Sequence, residues 1–272
     1  MPRTRLLGFE WDASSSHARG PALGPSVVRR LLTSEASSGY SINLTPMRDA
    51  IAGYDILTLP EDGAAARDII EARVAAAIAA GERPLSIGGD HSVTFPILKA
   101  VARRHGPVNL LHIDAHPDMH EDYEGDPFSH ASPFARAHEA GLIARHVVVG
   151  ARCWDPHQKA QTDRYGVTVL GAHEIDRIHA AMFEAPLYLS IDLDGLDPAF
   201  APGVSHPEPG GLSAHDALTI VRGLTGIDFL GFDVVDQSIT VDGVQNNTLL
   251  SVGASVGIQA SETVALQFGG AY

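Results

Sequence analysis

The sequence predicts an α/β protein: a single three-layer αβα domain over residues 1–272 with a mainly parallel sheet. Short apolar runs alternate with stretches of helical composition along the whole length. Several runs, Val108–Ile113 above all, are apolar without alternation, as in strands buried on both faces. No repeat, linker or low-complexity segment divides the 272 residues, a length that suits one large core.

Taken in order, Arg5–Phe9 reads as the first strand. Gly20–Pro25 is a loop, and Ser26 is expected to cap a helix through Leu32. As a phosphate cradle this loop is poor, because its prolines remove amide donors. A turn-rich link (Ser34–Tyr40) and a strand at Tyr54–Leu59 follow. Ala64–Ala80 is helical, with Ile69, Ile70, Val74 and Ile78 on one side and Gly81 ending it. Pro84–Ile87 is a strand, Val93–His105 a helix and Val108–Ile113 a strand, together a right-handed β-α-β unit. A polar loop from Asp118 to Ser132 precedes a helix at Pro133–Ala140, whose proline suits the first turn. Strands are expected at His146–Gly150 and Val167–Leu170, a helix at Glu174–Phe183 and a strand at Leu187–Ile191. A Pro/Gly-rich loop at Ala201–Gly211 leads to a helix at Ala214–Leu224 capped by Ser213. The last clear strand is Ile227–Val235, and Asn247–Leu266 reads as mostly helical.

A formal charge of −14 argues against nucleic acid or an anionic membrane as partner and favours a cationic substrate. The single Cys153 excludes an internal disulfide, and no cysteine-based metal site is expected. The basic start is broken by Glu10 and Asp12 after only Leu6-Leu7, unlike a signal peptide. With no apolar stretch of membrane-spanning length either, a cytoplasmic location is expected.

Three strand ends carry the chemistry. Val108–Ile113 delivers Asp114, His116 and Asp118 at alternate positions, which share one side of an extended chain. Three acceptors crowded together repel unless a cation sits among them. Upstream, the strand before Gly88-Gly89-Asp90-His91-Ser92 ends in a histidine. Downstream, Leu187–Ile191 runs into Asp192-Leu193-Asp194. In a parallel sheet such carboxyl ends line one edge, where ligands bind. Two imidazoles and four carboxylates are about what two divalent ions need.

These segments, with Ser190-Ile191-Asp192-Leu193-Asp194-Gly195-Leu196-Asp197-Pro198, resemble the three signatures of the ureohydrolase family, which contains arginases, agmatinases and formiminoglutamases. The resemblance runs from about Gly20 to the C-terminus. It implies a pair of Mn²⁺ ions bridged by hydroxide, a small guanidino substrate and a homo-oligomer. Asp114 and Asp192 would bridge the ions, His91 and Asp118 would complete one site, and His116 and Asp194 the other. The donor set, hard oxygen with imidazole, suits Mn²⁺. Asp118 would carry the proton to the leaving nitrogen, and His130 matches the family's proton-relaying histidine. Asp90 is expected to hold an imidazole from behind, and Asp197 to fix the turn before Pro198.

Asp155, in Arg152-Cys153-Trp154-Asp155-Pro156, resembles the residue that receives a substrate α-ammonium group; an N-cap before Pro156 is the alternative. His120 and Asp126, in the loop over the metal edge, are expected to touch substrate. The family pattern breaks twice. Its last strand ends in a guanidinium-holding glutamate, where this chain has Asp236, shorter by about 1.5 Å. The small hydroxyl residue near that glutamate is replaced by His206. The shorter Asp236 leaves room for an extra atom on the guanidine, to which the His206 imidazole could donate or from which it could accept, as in Nω-hydroxy-L-arginine, with arginine or agmatine as alternatives. Of the rivals, a deacetylase would not need His91 or Asp118, a two-metal phosphoesterase lacks a basic cluster, and all six ligands argue against a catalytically dead relative.

Overall fold

A computed structural model describes residues 3–17, 19–35, 39–40, 44, 46–179, 182–183, 186–224, 227–236, 250–251, 257–259, 263–265 and 269–270. Its elements are β1 Thr4–Glu10, α1 Gly24–Leu32, α2 Met47–Ala50, β2 Ile51–Thr58, α3 Gly63–Ala79, β3 Arg83–Ile87, α4 Thr94–His105 and β4 Val108–Ile113. Then come α5 Pro133–Glu139, β5 Ile143–Val149, α6 Pro156–Arg164, β6 Thr168–Leu170, β7 Leu187–Asp192, α7 Ala214–Gly223 and β8 Phe229–Val235. Eight strands form one sheet in the order β2-β1-β3-β8-β7-β4-β5-β6, and every pairing in it is parallel.

The non-alternating apolar runs explain the layering. Leu110 packs with Ile70 and Val74 of α3 and Ile97 and Val101 of α4 on one face. Its neighbour Leu111 packs with Ile220 and Val221 of α7 on the other. Successive strand residues point to opposite faces, so both must be apolar when helices cover both. The αβα domain expected from sequence is what the chain builds.

Local signals worked where a side chain had one clear task. Ser213 caps α7, its hydroxyl accepting from Asp216 N at 3.1 Å while the Asp216 carboxylate accepts from Ser213 N at 2.9 Å. Gly81 follows α3 with φ 75°, the left-handed conformation glycine tolerates best. Elsewhere the expectation fails. Ser26 lies inside α1 and not at its cap; Pro25 occupies the first turn, and the Ser26 hydroxyl instead donates to Glu10. The helix expected at Glu174–Phe183 is a 3-10 stretch, Ala172–Arg177, after which Ile178 turns extended and buries in the core. The helix expected at Asn247–Leu266 is contradicted at Leu250–Ser251, Gly257–Gln259 and Thr263–Ala265, which are short antiparallel strands. Glycines at 253 and 257 weaken a helix, and the β-branched Thr263-Val264 suit a strand. The rest of that segment lies outside the described residues.

Candidate metal centre

Four adjacent strands, β3, β8, β7 and β4, bring the candidate residues to one edge of the sheet. After β3 the chain passes Gly89, where a Cβ would lie 1.7 Å from the Trp11 carbonyl oxygen. That close approach lets Asp90 N donate to the same carbonyl at 3.0 Å and sets the 3-10 turn His91–Val93. After β7, a Cβ on Gly195 would meet Asp114 N at 2.8 Å, so only glycine lets the Asp192–Asp194 turn press against the end of β4.

His91 Nδ1 lies 3.1 Å from Asp114 Oδ2, 3.0 Å from Asp118 Oδ2 and 3.3 Å from Asp192 Oδ2. That nitrogen is buried yet has no well-directed hydrogen bond. Across Asp114, His116 Nδ1 lies 3.0 Å from Asp194 Oδ2 and 3.4 Å from Asp114 Oδ1. The two oxygens of Asp114 thus face two different histidines. A buried ring nitrogen surrounded by carboxylate oxygens without hydrogen-bond geometry is the arrangement of ligands around a cation. Asp192, Asp194 and Asp236 also bring ligand oxygens within 4.8 Å of one another. All six residues expected to hold metal converge here.

Electrostatics agree. Burial raises Asp192 well above the usual carboxylate range, helped by Asp194 and Asp114. Burial and then Asp114 lift Asp194 to about 7. Burial opposes a proton on His91, but the carboxylates around it win and raise its pKa well above that of a free imidazole. The cluster without cations therefore holds protons, which cations would displace.

Several supporting residues were missed in the sequence. His91 Nε2 donates to Ser190 Oγ at 3.0 Å, and Ser190 Oγ donates to Asp233 Oδ1 at 2.6 Å. Tyr188 OH also donates to Asp233, at 2.7 Å. This chain fixes the His91 tautomer so that the Nδ1 lone pair faces the cluster. His112 Nε2 lies 2.6 Å from Asp114 Oδ2 and pins that carboxylate from behind. The signal was available: Ser190 and Asp233 are polar residues in fully buried strands and are register partners. His112 precedes Asp114 by two residues and so shares its side of the strand.

A cavity of about 390 Å³ opens above the cluster, lined by His120, Tyr123, His130, Asp155, His206 and Asp236 among others. His130 Nδ1 donates to the Ser14 carbonyl at 2.8 Å, leaving Nε2 toward Ser16 Oγ at 3.4 Å. Its ring stacks on His206 at 5.3 Å between centroids. Burial, with His130 and His116 nearby, pushes His206 down to about 4. Asp155 caps α6, accepting from Gln158 N at 2.8 Å, and also faces the cavity, so both roles are open to it. His120 sits 4.0 Å from the Asp155 carboxylate. Asp118 and Asp236 both adopt left-handed backbone, φ 49° and 60°, a strained conformation that clusters at functional sites.

Three expectations need correction. Asp126 does not reach the cavity; it is exposed, and its carboxylate accepts from Phe128 N at 2.8 Å to close the loop's turn. Asp90 holds no imidazole; it accepts from Ser14 N at 2.9 Å and from Ser92, tying the N-terminal loop to the site. The hydroxyl thought lost at His206 is supplied next door by Ser205, whose N donates to Asp236 Oδ2 at 2.9 Å and whose Oγ donates to Oδ1. Asp197 behaves as expected, accepting from Ala199 N and Gly210 N at 2.9 and 2.8 Å.

An eight-stranded parallel sheet with a buried His/Asp cluster at its carboxyl edge is an α/β architecture whose cluster could hold cations. The sequence profile of the arginase family matches residues 3–260, and the chain belongs to that family. Arginase 1, mitochondrial, of Arabidopsis thaliana is 36% identical over 261 residues, covering 89% of this chain and 76% of the relative. Guanidinopropionase of Pseudomonas aeruginosa is 37% identical over 254 residues, covering 87% and 79%. The structure of arginase from Medicago truncatula superposes with a TM-score of 0.79 at 33% identity, covering 89% of this chain and 82% of that one. The chain is thus a hydrolase of amidino C–N bonds, of a family that uses a binuclear metal centre. Its relatives act on more than one guanidino compound. Among the described residues, no helix is long and apolar enough to cross a membrane.

Proposed function

We propose that this chain hydrolyses the guanidino group of an arginine-like amino acid, with Nω-hydroxy-L-arginine preferred over arginine and agmatine. The observation that carries the reaction class is the His91 and His116 pair facing the two oxygens of Asp114, with Asp118, Asp192 and Asp194 around them. In this reading His91, Asp114, Asp118 and Asp192 would hold one Mn²⁺, and His116, Asp114, Asp192 and Asp194 would hold the other. Bound there, divalent ions supply Lewis-acid chemistry that makes water a nucleophile at neutral pH.

The remaining steps belong to the chain's own side chains. Water adds to the guanidino carbon, Asp118 delivers a proton to the leaving nitrogen, and the C–N bond breaks to give ornithine and hydroxyurea, or urea from arginine. His130, fixed by the Ser14 carbonyl with Nε2 toward Ser16 Oγ, exchanges the proton with solvent. Asp155 receives the α-ammonium group.

The substrate preference rests on Asp236. Both its oxygens are engaged by Ser205, which leaves fewer acceptor positions for a guanidinium. Such a carboxylate is a weak clamp for a guanidinium and suffices better for the less basic hydroxyguanidine. The neutral ring of His206 can donate to or accept from the added hydroxyl. The test is kcat/KM for hydroxyarginine, arginine and agmatine in the parent protein and in Asp236→Glu. The reading expects hydroxyarginine to lead in the parent and arginine to gain in the variant. A parent that prefers arginine or agmatine would refute the preference while leaving the reaction class intact.

A further inference from the structure

We infer that the cavity holds a third cation site, distinct from the paired centre, that takes a thiophilic divalent ion such as Zn²⁺ or Cd²⁺ on Cys153, Glu208 and the outer edge of His116. The ligand atoms of these three residues lie within 4.8 Å of one another, and all three residues are half-buried and line the cavity. No hydrogen bond links any two of them among those of the described residues. Groups that converge this closely without bonding leave a gap suited to a shared ion, whose bonds to sulfur, nitrogen and oxygen run to about 2.0–2.3 Å.

The three residues come from separate segments, each anchored. Arg152 N and Cys153 N both donate to the Ala115 carbonyl, at 2.9 and 3.1 Å, so Cys153 is locked beside His116. The Arg152 guanidinium donates to the Glu208 carbonyl through Nη2 at 2.5 Å and Nε at 3.1 Å, and to the Asp194 carbonyl at 2.8 Å. Glu208 is thereby held at the cavity rim by the residue next to Cys153. With its Nδ1 turned to Asp194, His116 leaves Nε2 for the outer ion. The cavity lining contains no Lys or Arg, so no fixed cation competes.

Thiolate, with imidazole and carboxylate, is a soft donor set, unlike the oxygen-rich centre below it, and selects Zn²⁺ or Cd²⁺ over Mn²⁺. Because thiolate and not thiol ligates, and the ring must give up its outer proton, binding releases protons. The three residues line the same cavity as Asp155, so an ion there occupies space that substrate needs and the site is inhibitory.

The experiment uses protein first shown to carry two Mn²⁺ per chain, which separates failure of the paired-centre reading from failure of this one. Cd²⁺ is then titrated while the near-ultraviolet cadmium–thiolate absorption, retained Mn²⁺ and turnover are followed. One further ion per chain is expected, with the absorption band and inhibition rising together and both Mn²⁺ retained. Cys153→Ser should abolish the band. Glu208→Gln keeps the thiol, yet should weaken Cd²⁺ binding by at least the roughly ten-fold that loss of even an outlying metal partner costs. Release of Mn²⁺ in step with Cd²⁺ uptake, or a Glu208→Gln titration matching the parent's, would overturn the site.

Discussion

The strand ends and the loops above them divide the labour of the site differently. At the strand ends, His91, Asp114, Asp192 and Asp194 are almost wholly buried, and their positions follow from sheet register and two glycine contacts. In the loops, His120, His130, Asp155 and His206 are partly exposed and are positioned by local hydrogen bonds or ring stacking. Register tolerates little change, because a slip of one residue turns every side chain to the opposite face. Loops tolerate much. On the proposed reading the strand ends carry the reaction class, and substrate choice is shared between the loops and Asp236 at the end of β8.

The largest expected effect therefore comes from the strand ends. His91→Ala should lose metal and lower turnover by about 10³-fold or more, the several kcal/mol that Lewis-acid stabilisation supplies. Metal analysis and kcat measured together check this; full metal retention with normal rate would erase the division. His130→Ala, a loop change, should keep its metal while kcat falls about 10²-fold, the worth of one proton-transfer group. Were metal lost with it, His130 would belong with the strand ends.

A smaller effect sharpens the loop side. Asp155→Asn keeps a good helix cap but removes the charge. KM for an α-amino substrate should rise on the order of ten-fold with kcat little changed, the cost of one charge-assisted hydrogen bond. An unchanged KM, measured at saturating metal, would reduce Asp155 to a cap.

The smallest effect is a pH dependence confined to the strand ends. Asp194 at about 7 and Asp236 at about 8 lie above their unfolded values. A carboxyl whose folded pKa is raised binds its proton more tightly when folded. Its contribution to metal-free stability is present at low pH and is lost as pH rises from about 4 toward 8. Cations remove that penalty by replacing the protons. The rise in Tm on adding Mn²⁺ should then be greater at pH 8.5 than at pH 6, and reach about 5 °C at an ion concentration near 100 times Kd. A rise greater at pH 6 would have the wrong sign.

The same division explains what the sequence could reveal. Asp114, His116 and Asp118 were legible because period-two spacing after an apolar strand has few meanings, and the alternation of elements led to the αβα fold for similar reasons. Asp126 misled because an acidic residue in a site-covering loop looks like a ligand-binding group, whereas its carboxylate closes a local turn with Phe128 N. Ser205 carries no signal of its own beside His206, and only the fold shows which of two adjacent residues turns to Asp236. His112, Ser190 and Asp233 were present as buried polar residues in strands, a signal that states a need for partners without naming them. Local spacing announces ligands; their supports depend on which strands become neighbours.

The central claim, that six strand-end residues hold two cations through a shared Asp114, is tested most directly by counting ions. Equilibrium binding of Mn²⁺ to the metal-stripped chain should saturate at two ions per chain, with activity tracking the filled pair, and Asp114→Asn should weaken both ions together. Saturation at one ion with full activity, or an Asp114→Asn variant that binds two ions as the parent does, would contradict it.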